Sequence, residues 1–297
     1  MNLRHLEYFA VVAEELHFRR SAERLGITQA PLSLAIQALE TELGARLFHR
    51  TRRTVSLTEA GHALFDDARG ILSRVEMAKE NVWQTVSGQV GRLRVGFTNA
   101  SSLSPFFPRL IHAYRTQRPG VQITLRELSS LQQIESIETR ELDVGLLRLP
   151  PEAPTSIHEL ALTPLFEEAL LLAVHAGHRL AKKRSVCIAD LRGEPFIAYP
   201  RQAGVALFSQ MLALCEKRGF SPEVVQEAQQ ASTLIGLTAT GLGVALVPAS
   251  LRAIAVPGVV FRELSDDDTT TTLYIAHRRG DANSRALQFA ELAATVQ

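Results

Sequence analysis

The stretch from residue 28 to residue 57 leaves this chain few folds to choose from. It opens Thr28-Gln29-Ala30-Pro31-Leu32-Ser33, continues as an apolar seam, and ends in a segment carrying Arg46, Arg50, Arg52 and Arg53. Leu32, Ile36, Leu39 and Leu43 recur at helical spacing and mark a buried stripe. Ala30, Ser33, Leu34 and Gln37 fall on the opposite face, with Gln29 at the exposed start. Thr28 suits the cap, Pro31 the first turn, and Gly44 the end. Leu47-Phe48 and Val55-Ser56-Leu57 then read as the arms of a short hairpin tipped by residues 50–54. Upstream, Leu6, Phe9, Ala13 and Leu16 share one face of a first helix. Ala22 and Leu25 belong to a short second helix that stops at Gly26. Two helices joined by a tight turn, followed by a hairpin, predict a winged helix-turn-helix. A helix with small polar outer residues fits the major groove of double-stranded DNA, and an arginine-tipped hairpin fits the phosphates beside it. Gln29, Ala30, Pro31, Ser33, Leu34, Gln37, Arg50, Arg52 and Arg53 are therefore the candidate DNA-binding residues. Alone, the arginine run reads more readily as a solvated turn; its place directly after the two helices reverses that preference.

A long helix follows. Thr58 suits its cap and Glu59 its positive end. From Thr58 to about Ser87 there is no proline, which gives a rod of roughly 45 Å. Leu64, Ala68, Ile71, Val75, Ala78 and Val82 alternate steps of four and three, the spacing of a coiled-coil seam. Packing so long a seam on its own domain is geometrically awkward, so it implies a homodimer. Gly88 and Gly91 mark the boundary.

At 297 residues and a formal net charge of +1, the chain as a whole is not a basic nucleic-acid glue. DNA affinity has to come from local clustering. Cys187 and Cys215 lack the spacing of a metal or redox site and read as inert thiols. The N-terminus has no secretory pattern, and the longest apolar run, around Ala169 to Val174, is too short to span a bilayer. These features lead us to expect a cytoplasmic protein that does not enter the membrane.

After residue 91 the pattern alternates between strand and helix. Strands are expected at 92–97, 121–125 and 142–147, with helices around Phe107 to Tyr114 and Leu131 to Thr139. This implies an open parallel α/β sheet. A second lobe of similar type runs from Pro164 to about Ser265, with strands at 169–174, 196–199, 224–225 and 244–247 and helices at 205–218 and 232–240. The chain returns through 271–276 and closes with a helix at 284–295. Crossings near Leu162-Thr163-Pro164 and between Ser265 and Thr271 form a hinge. The expected domains are 1–58, winged helix-turn-helix; 59–90, linker and dimerisation helix; and 91–297, effector-binding. Within the last, lobe I is 91–163 with 269–297, and lobe II is 164–268.

Ligands in such sheets sit beyond the carboxyl ends of the strands. The loop Thr98-Asn99-Ala100-Ser101-Ser102 lies there, at the start of a helix, where N–H groups and hydroxyls suit a carboxylate. Ser130 and Arg148 follow the next two strands. Asn99, Ser101, Ser102, Ser130, Arg148 and, from lobe II, Phe208 are the candidate effector residues. Helix capping explains the serines at least as well, a solvent-facing strand end would explain Arg148, and a core role would explain Phe208. No catalytic motif, cofactor site or metal site is expected: Gly241-Leu242-Gly243 lacks the third glycine of a dinucleotide fingerprint, and His17, His49, His62 and His112 are scattered. An enzyme on the same scaffold, with the N-terminal domain used for oligomerisation, is the alternative; its cleft shows no acid/base pair.

The chain resembles the LysR-type transcriptional regulators. The residues that carry this are Leu6-Glu7-Tyr8-Phe9, Ser21-Ala22-Glu23-Arg24-Leu25, Thr28 to Ser33, Ile36, Leu39-Glu40, Leu43-Gly44, Leu47-Phe48-His49-Arg50 and Leu57-Thr58-Glu59-Ala60-Gly61, and more weakly Asp143-Val144-Gly145 and Gly241 to Pro248. The resemblance implies a two-lobed domain akin to periplasmic solute-binding proteins, a homodimer or homotetramer, and an interrupted palindrome as the DNA site. Gln29 and Ser33 match groove-facing positions of the family; Leu34 departs from it, because arginine is frequent there. Gly145-Leu146-Leu147-Arg148, Tyr199-Pro200-Arg201 and Val247-Pro248-Ala249-Ser250 resemble the branch that regulates aromatic-compound degradation. That branch implies an aromatic acid or ring-cleavage diacid as effector, with Arg148 at its pocket.

Overall fold

The computed structural model describes residues 2–50, 54–87, 91–149, 159–201, 206–280 and 283–296. The chain forms two compact units, Met1–Gln89 with Thr139–Glu141, and Val90–Glu138 with Leu142–Gln297.

The first unit contains α1 (Leu3–Glu15), α2 (Phe18–Arg24), α3 (Gln29–Leu43), β1 (Phe48–Arg50), β2 (Val55–Leu57) and α4 (Glu59–Ser87). The turn between α2 and α3 needs Gly26, whose φ of +65° few side chains tolerate. Thr28 stands at the N-cap of α3 as expected, but its hydroxyl makes no capping hydrogen bond. Leu32, Ile36 and Leu39 are buried with Leu6, Phe9, Val12, Leu47 and Phe48 in one core. The β1 and β2 arms pair antiparallel, Phe48 opposite Leu57.

Thr58 Oγ1 accepts from the Gly61 N–H at 2.9 Å and caps α4. Gly61 lets the helix start tight against the wing, since a Cβ there would meet the Leu47 carbonyl oxygen at 2.1 Å. The seam of α4 is used differently from the sequence expectation. Ala68 is fully buried in the unit's own core, and Leu64, Phe65 and Leu72 pack against it. Leu64 and Ala68 therefore hold the helix to its own domain. Ile71, Ala78 and Val82 are exposed and Val75 is half-buried.

The second unit begins with β3 (Arg92–Phe97), α5 (Asn99–Ser102), α6 (Phe106–Gln117), β4 (Gln122–Glu127), α7 (Ser130–Glu138) and β5 (Val144–Leu147). Then come β6 (Leu160–His175), β7 (Ser185–Val186), β8 (Pro195–Ala198), α8 (Ala206–Lys217), β9 (Glu223–Glu227), α9 (Ala231–Thr238), β10 (Ala245–Pro248), β11 (Val259–Leu264), β12 (Thr270–Arg278) and α10 (Ser284–Thr295). β3 pairs parallel with β4 and β5, as expected. The sheet as a whole is mixed, because β12 returns antiparallel to both β5 and β6.

Lobe I covers its sheet on both faces. Leu93, Val95, Val144 and Leu146 meet α6 and α10 on one side. Ile137 of α7 meets Leu147 and Ala276 on the other. Gly96 and Gly145 let α7 approach closely: a Cβ on Gly145 would meet Gln133 Oε1 at 2.7 Å. Two lobes are joined where β6 changes partners, from β12 up to Ala169 to β10 and β11 from Leu170 onward. The expected break at Leu162 to Pro164 is absent. Pro164, which lacks an N–H, sits where the β12 register shifts, the kind of irregularity that tolerates proline. The first crossing thus lies at residues 169–170. Strands β7 and β11, not expected from the sequence, extend the sheet of lobe II. No described helix is long and apolar enough to cross a membrane.

Candidate functional site

The outer face of α3 is exposed at Gln29, Ala30, Pro31, Leu34 and Gln37, and Ser33 is half-buried. That face carries no charge from residue 29 to residue 38. It offers two amides, a hydroxyl and a leucine, all suited to base edges. Arg50 is held otherwise than expected. Its guanidinium stacks on Phe18 at 4.7 Å and donates to Glu40 at 3.2 Å. The same carboxylate accepts the Leu47 N–H at 2.9 Å and the Phe48 N–H at 3.3 Å. Glu40 and Arg50 thus fix the root of the wing to α3, and the Arg50 side chain stays 38% exposed. Arg52 and Arg53 lie outside the described residues.

In the second unit, a cleft of about 330 Å³ is lined by Thr98 to Ala100, Glu127 to Ser130, Gln132, Arg148, Tyr199, Ala206, Leu207, Gln229 and Gln230. These positions follow β3, β4 and β5 from lobe I and β8 and β9 from lobe II. Every lining segment except the start of α8 therefore comes from the carboxyl end of a parallel strand or the turn beyond it.

Arg148 is 2% exposed. Its backbone N–H donates to Ser130 Oγ at 3.1 Å, and its guanidinium donates to the Thr271 carbonyl at 3.3 Å and to Glu168 of β6. Glu168 also accepts the Ser250 N–H at 2.8 Å and its hydroxyl at 3.3 Å. Burial pulls the Arg148 guanidinium below its ordinary value while Glu168 pushes back. Burial also lifts the Tyr199 phenol above its usual range, with Arg148 opposing, so the phenol stays protonated at neutral pH. Arg148 Nε and Tyr199 Oη have no hydrogen-bond partner among the described residues. Two buried groups that can donate are thus left unmatched at the cleft.

Asn99 bridges the lobes. Its amide donates to Glu127 at 3.2 Å, and its Oδ1 accepts the Ala231 N–H at the start of α9 at 3.1 Å. Ser129, not Ser130, caps α7, in reciprocal bonds with Gln132. That leaves Ser130 to hold the backbone of Arg148.

Asn99, Ser130 and Arg148 therefore come together as expected, while three expected residues do not line the cleft. Ser101 is fully buried in a capping box with Thr98. Ser102 Oγ donates to the Asn99 carbonyl at 2.7 Å. Phe208 packs into the lobe II core; Tyr199 and Leu207 face the cleft in its place. Sequence reasoning missed Glu168, Gln229 and Gln230 and treated Tyr199 only as a resemblance. The position of Tyr199 after β8 mirrors that of Arg148 after β5, which is the signal that would have found it. The described residues hold no cluster able to bind a metal ion.

A winged helix-turn-helix followed by a two-lobed domain with a polar cleft defines a transcriptional regulator controlled by a small ligand. Residues 3–62 match the model described as "Bacterial regulatory helix-turn-helix protein, lysR family", and residues 87–296 match "LysR substrate binding domain". The chain belongs to the LysR family. It is 37% identical to the HTH-type transcriptional regulator AlsR of Bacillus subtilis, over 95% of this chain and 92% of that one. It is 35% identical to the HTH-type transcriptional regulator BenM of Acinetobacter baylyi, over 94% of this chain and 90% of that one. Full-length CbnR complexed with its target DNA shares the fold at a TM-score of 0.73 and 27% identity, over 99% of this chain and 100% of that one. The relatives are regulators of transcription, and the enzyme alternative finds no support among them.

Proposed function

We propose that the cleft binds a small carboxylate, an aromatic acid or a ring-cleavage diacid, and that its binding changes how the dimer or tetramer sits on an interrupted palindrome. The observation that carries this reading is the pair of unmatched buried donors, Arg148 Nε and Tyr199 Oη, at the junction of the lobes. A carboxylate has acceptor sites enough for both. It competes with Glu168 for the Arg148 guanidinium, and Glu168 keeps Ser250 as its alternative partner. Arg148 and Glu168 lie on the lobe I side of the crossing and Ser250 follows β10 in lobe II, so the exchange takes Arg148 out of the hydrogen-bonded chain Arg148–Glu168–Ser250, whose second bond ties the lobes. An effector shifts DNA binding only through different affinity for the two arrangements.

Thermal melting of the full chain with benzoate- and muconate-like acids tests this. A ligand bound to the native state alone raises the melting temperature, by about 2.7 kcal/mol of stability at a hundredfold excess over Kd. A hit that is weakened in Tyr199→Phe, which keeps the ring, places the ligand at this cleft. A hit unaffected by Tyr199→Phe and by Arg148→Lys contradicts the placement. Silence across the panel contradicts the carboxylate.

A further inference from the structure

Leu34 is 66% exposed, level with Val82 as the most exposed of the described large hydrophobic residues. It stands near the middle of the exposed face of α3, one turn from Ala30 and one from Ala38. A leucine this exposed is not held there by the unit's own core, whose α3 members are Leu32, Ala35, Ile36 and Leu39. Nor does it have a charged neighbour on the face, which is uncharged from residue 29 to residue 38. Within a major groove, the one alkyl group that base edges present is the 5-methyl of thymine; guanine, cytosine and adenine offer hydrogen-bond donors and acceptors beside bare C–H edges. A leucine facing a guanine or cytosine edge would bury polar atoms without partners, which disfavours those bases. We propose that Leu34 is a specificity-determining residue that selects thymine by packing on its 5-methyl group. The proposal rests on the reading of α3 as the groove helix and adds the base that it chooses.

The test is deoxyuridine scanning, because uracil differs from thymine only by the missing methyl. Full-length protein is used to enrich binding sites from a random DNA pool. Each thymine of the enriched site is then replaced singly by deoxyuridine and the affinity measured. Burying one methyl against a leucine corresponds to about a threefold to fivefold loss of affinity on its removal. We expect that loss at one thymine per half-site for the wild type, and little or none at that position for Leu34→Ala. Leu34→Arg is expected to enrich guanine there, since arginine donates to its O6 and N7. Both substitutions fall at an exposed position and should keep the fold, which thermal melting checks. Insensitivity to every deoxyuridine overturns the proposal, as does equal sensitivity in wild type and Leu34→Ala. Enrichment of no sequence at all overturns the groove-helix reading itself, which separates the two failures.

Discussion

Single residues decide the two sites by what they leave paired and unpaired. Glu40 holds two backbone N–H groups and the Arg50 guanidinium, so its loss leaves buried donors without an acceptor. Glu40→Ala is expected to destabilise the first unit by about 1–3 kcal/mol, read as a lowered midpoint in urea unfolding followed by a probe in that unit. An unchanged midpoint would mean that the wing root is held by apolar packing alone. At the cleft, Glu168→Gln removes the internal counterion of Arg148. Carboxylate affinity is expected to rise in that variant, measured by calorimetry; a fall would show that Glu168 helps to hold the ligand. Cys215 is fully buried, and burial pushes its thiol up to about 12, while Cys187 is half-buried. A thiol reagent should therefore count one cysteine quickly in the native protein and two in denaturant. Arg148 was legible in the sequence because it ends an apolar strand where ligands sit. Glu168 was not, because nothing local separates a strand carboxylate that faces a buried arginine from one that faces solvent.

At the scale of elements, α4 divides its labour along its length. Its first turns complete the core of the winged domain through Ala68, Leu64 and Leu72, and its later turns expose Ala78 and Val82. Ala68→Asp places an unpaired charge in that core and should unfold the first unit. Val82→Asp should leave the unit folded and weaken self-association, checked by sedimentation velocity; an unaltered dimer would remove α4 from the interface. In lobe II, Arg218 of the turn after α8 donates to both Asp266 and Asp268, beside the second crossing between the lobes. The Arg218 hydrogen bond, ahead of that from Lys217, holds the Asp268 carboxyl far below its usual value. A depressed folded pKa contributes stability above the unfolded pKa of about 4, and that contribution is lost as pH falls further. The melting-temperature gap between wild type and Asp268→Asn should be constant from pH 7 to about 5 and narrow below 4. Most elements were legible from apolar periodicity and their glycine and proline stops. β6 was not: its first half alternates weakly and contains Pro164, so the pattern resembles a linker. β11 escaped because Val259 to Leu264 mixes apolar and charged residues with no alternation on which to fix a strand.

The molecule as a whole joins a DNA-reading unit and a ligand-binding unit in one chain of the LysR family. Its net charge of +1 keeps the nonspecific attraction to DNA modest, so preference has to come from α3 and the wing. Binding of the full chain to the DNA upstream of its own coding sequence, titrated against scrambled DNA of the same length at moderate salt, tests this most directly. A sequence-specific regulator should prefer its site by about a thousandfold or more. Equal affinity for the two DNAs would contradict the assignment of α3 as a reading helix.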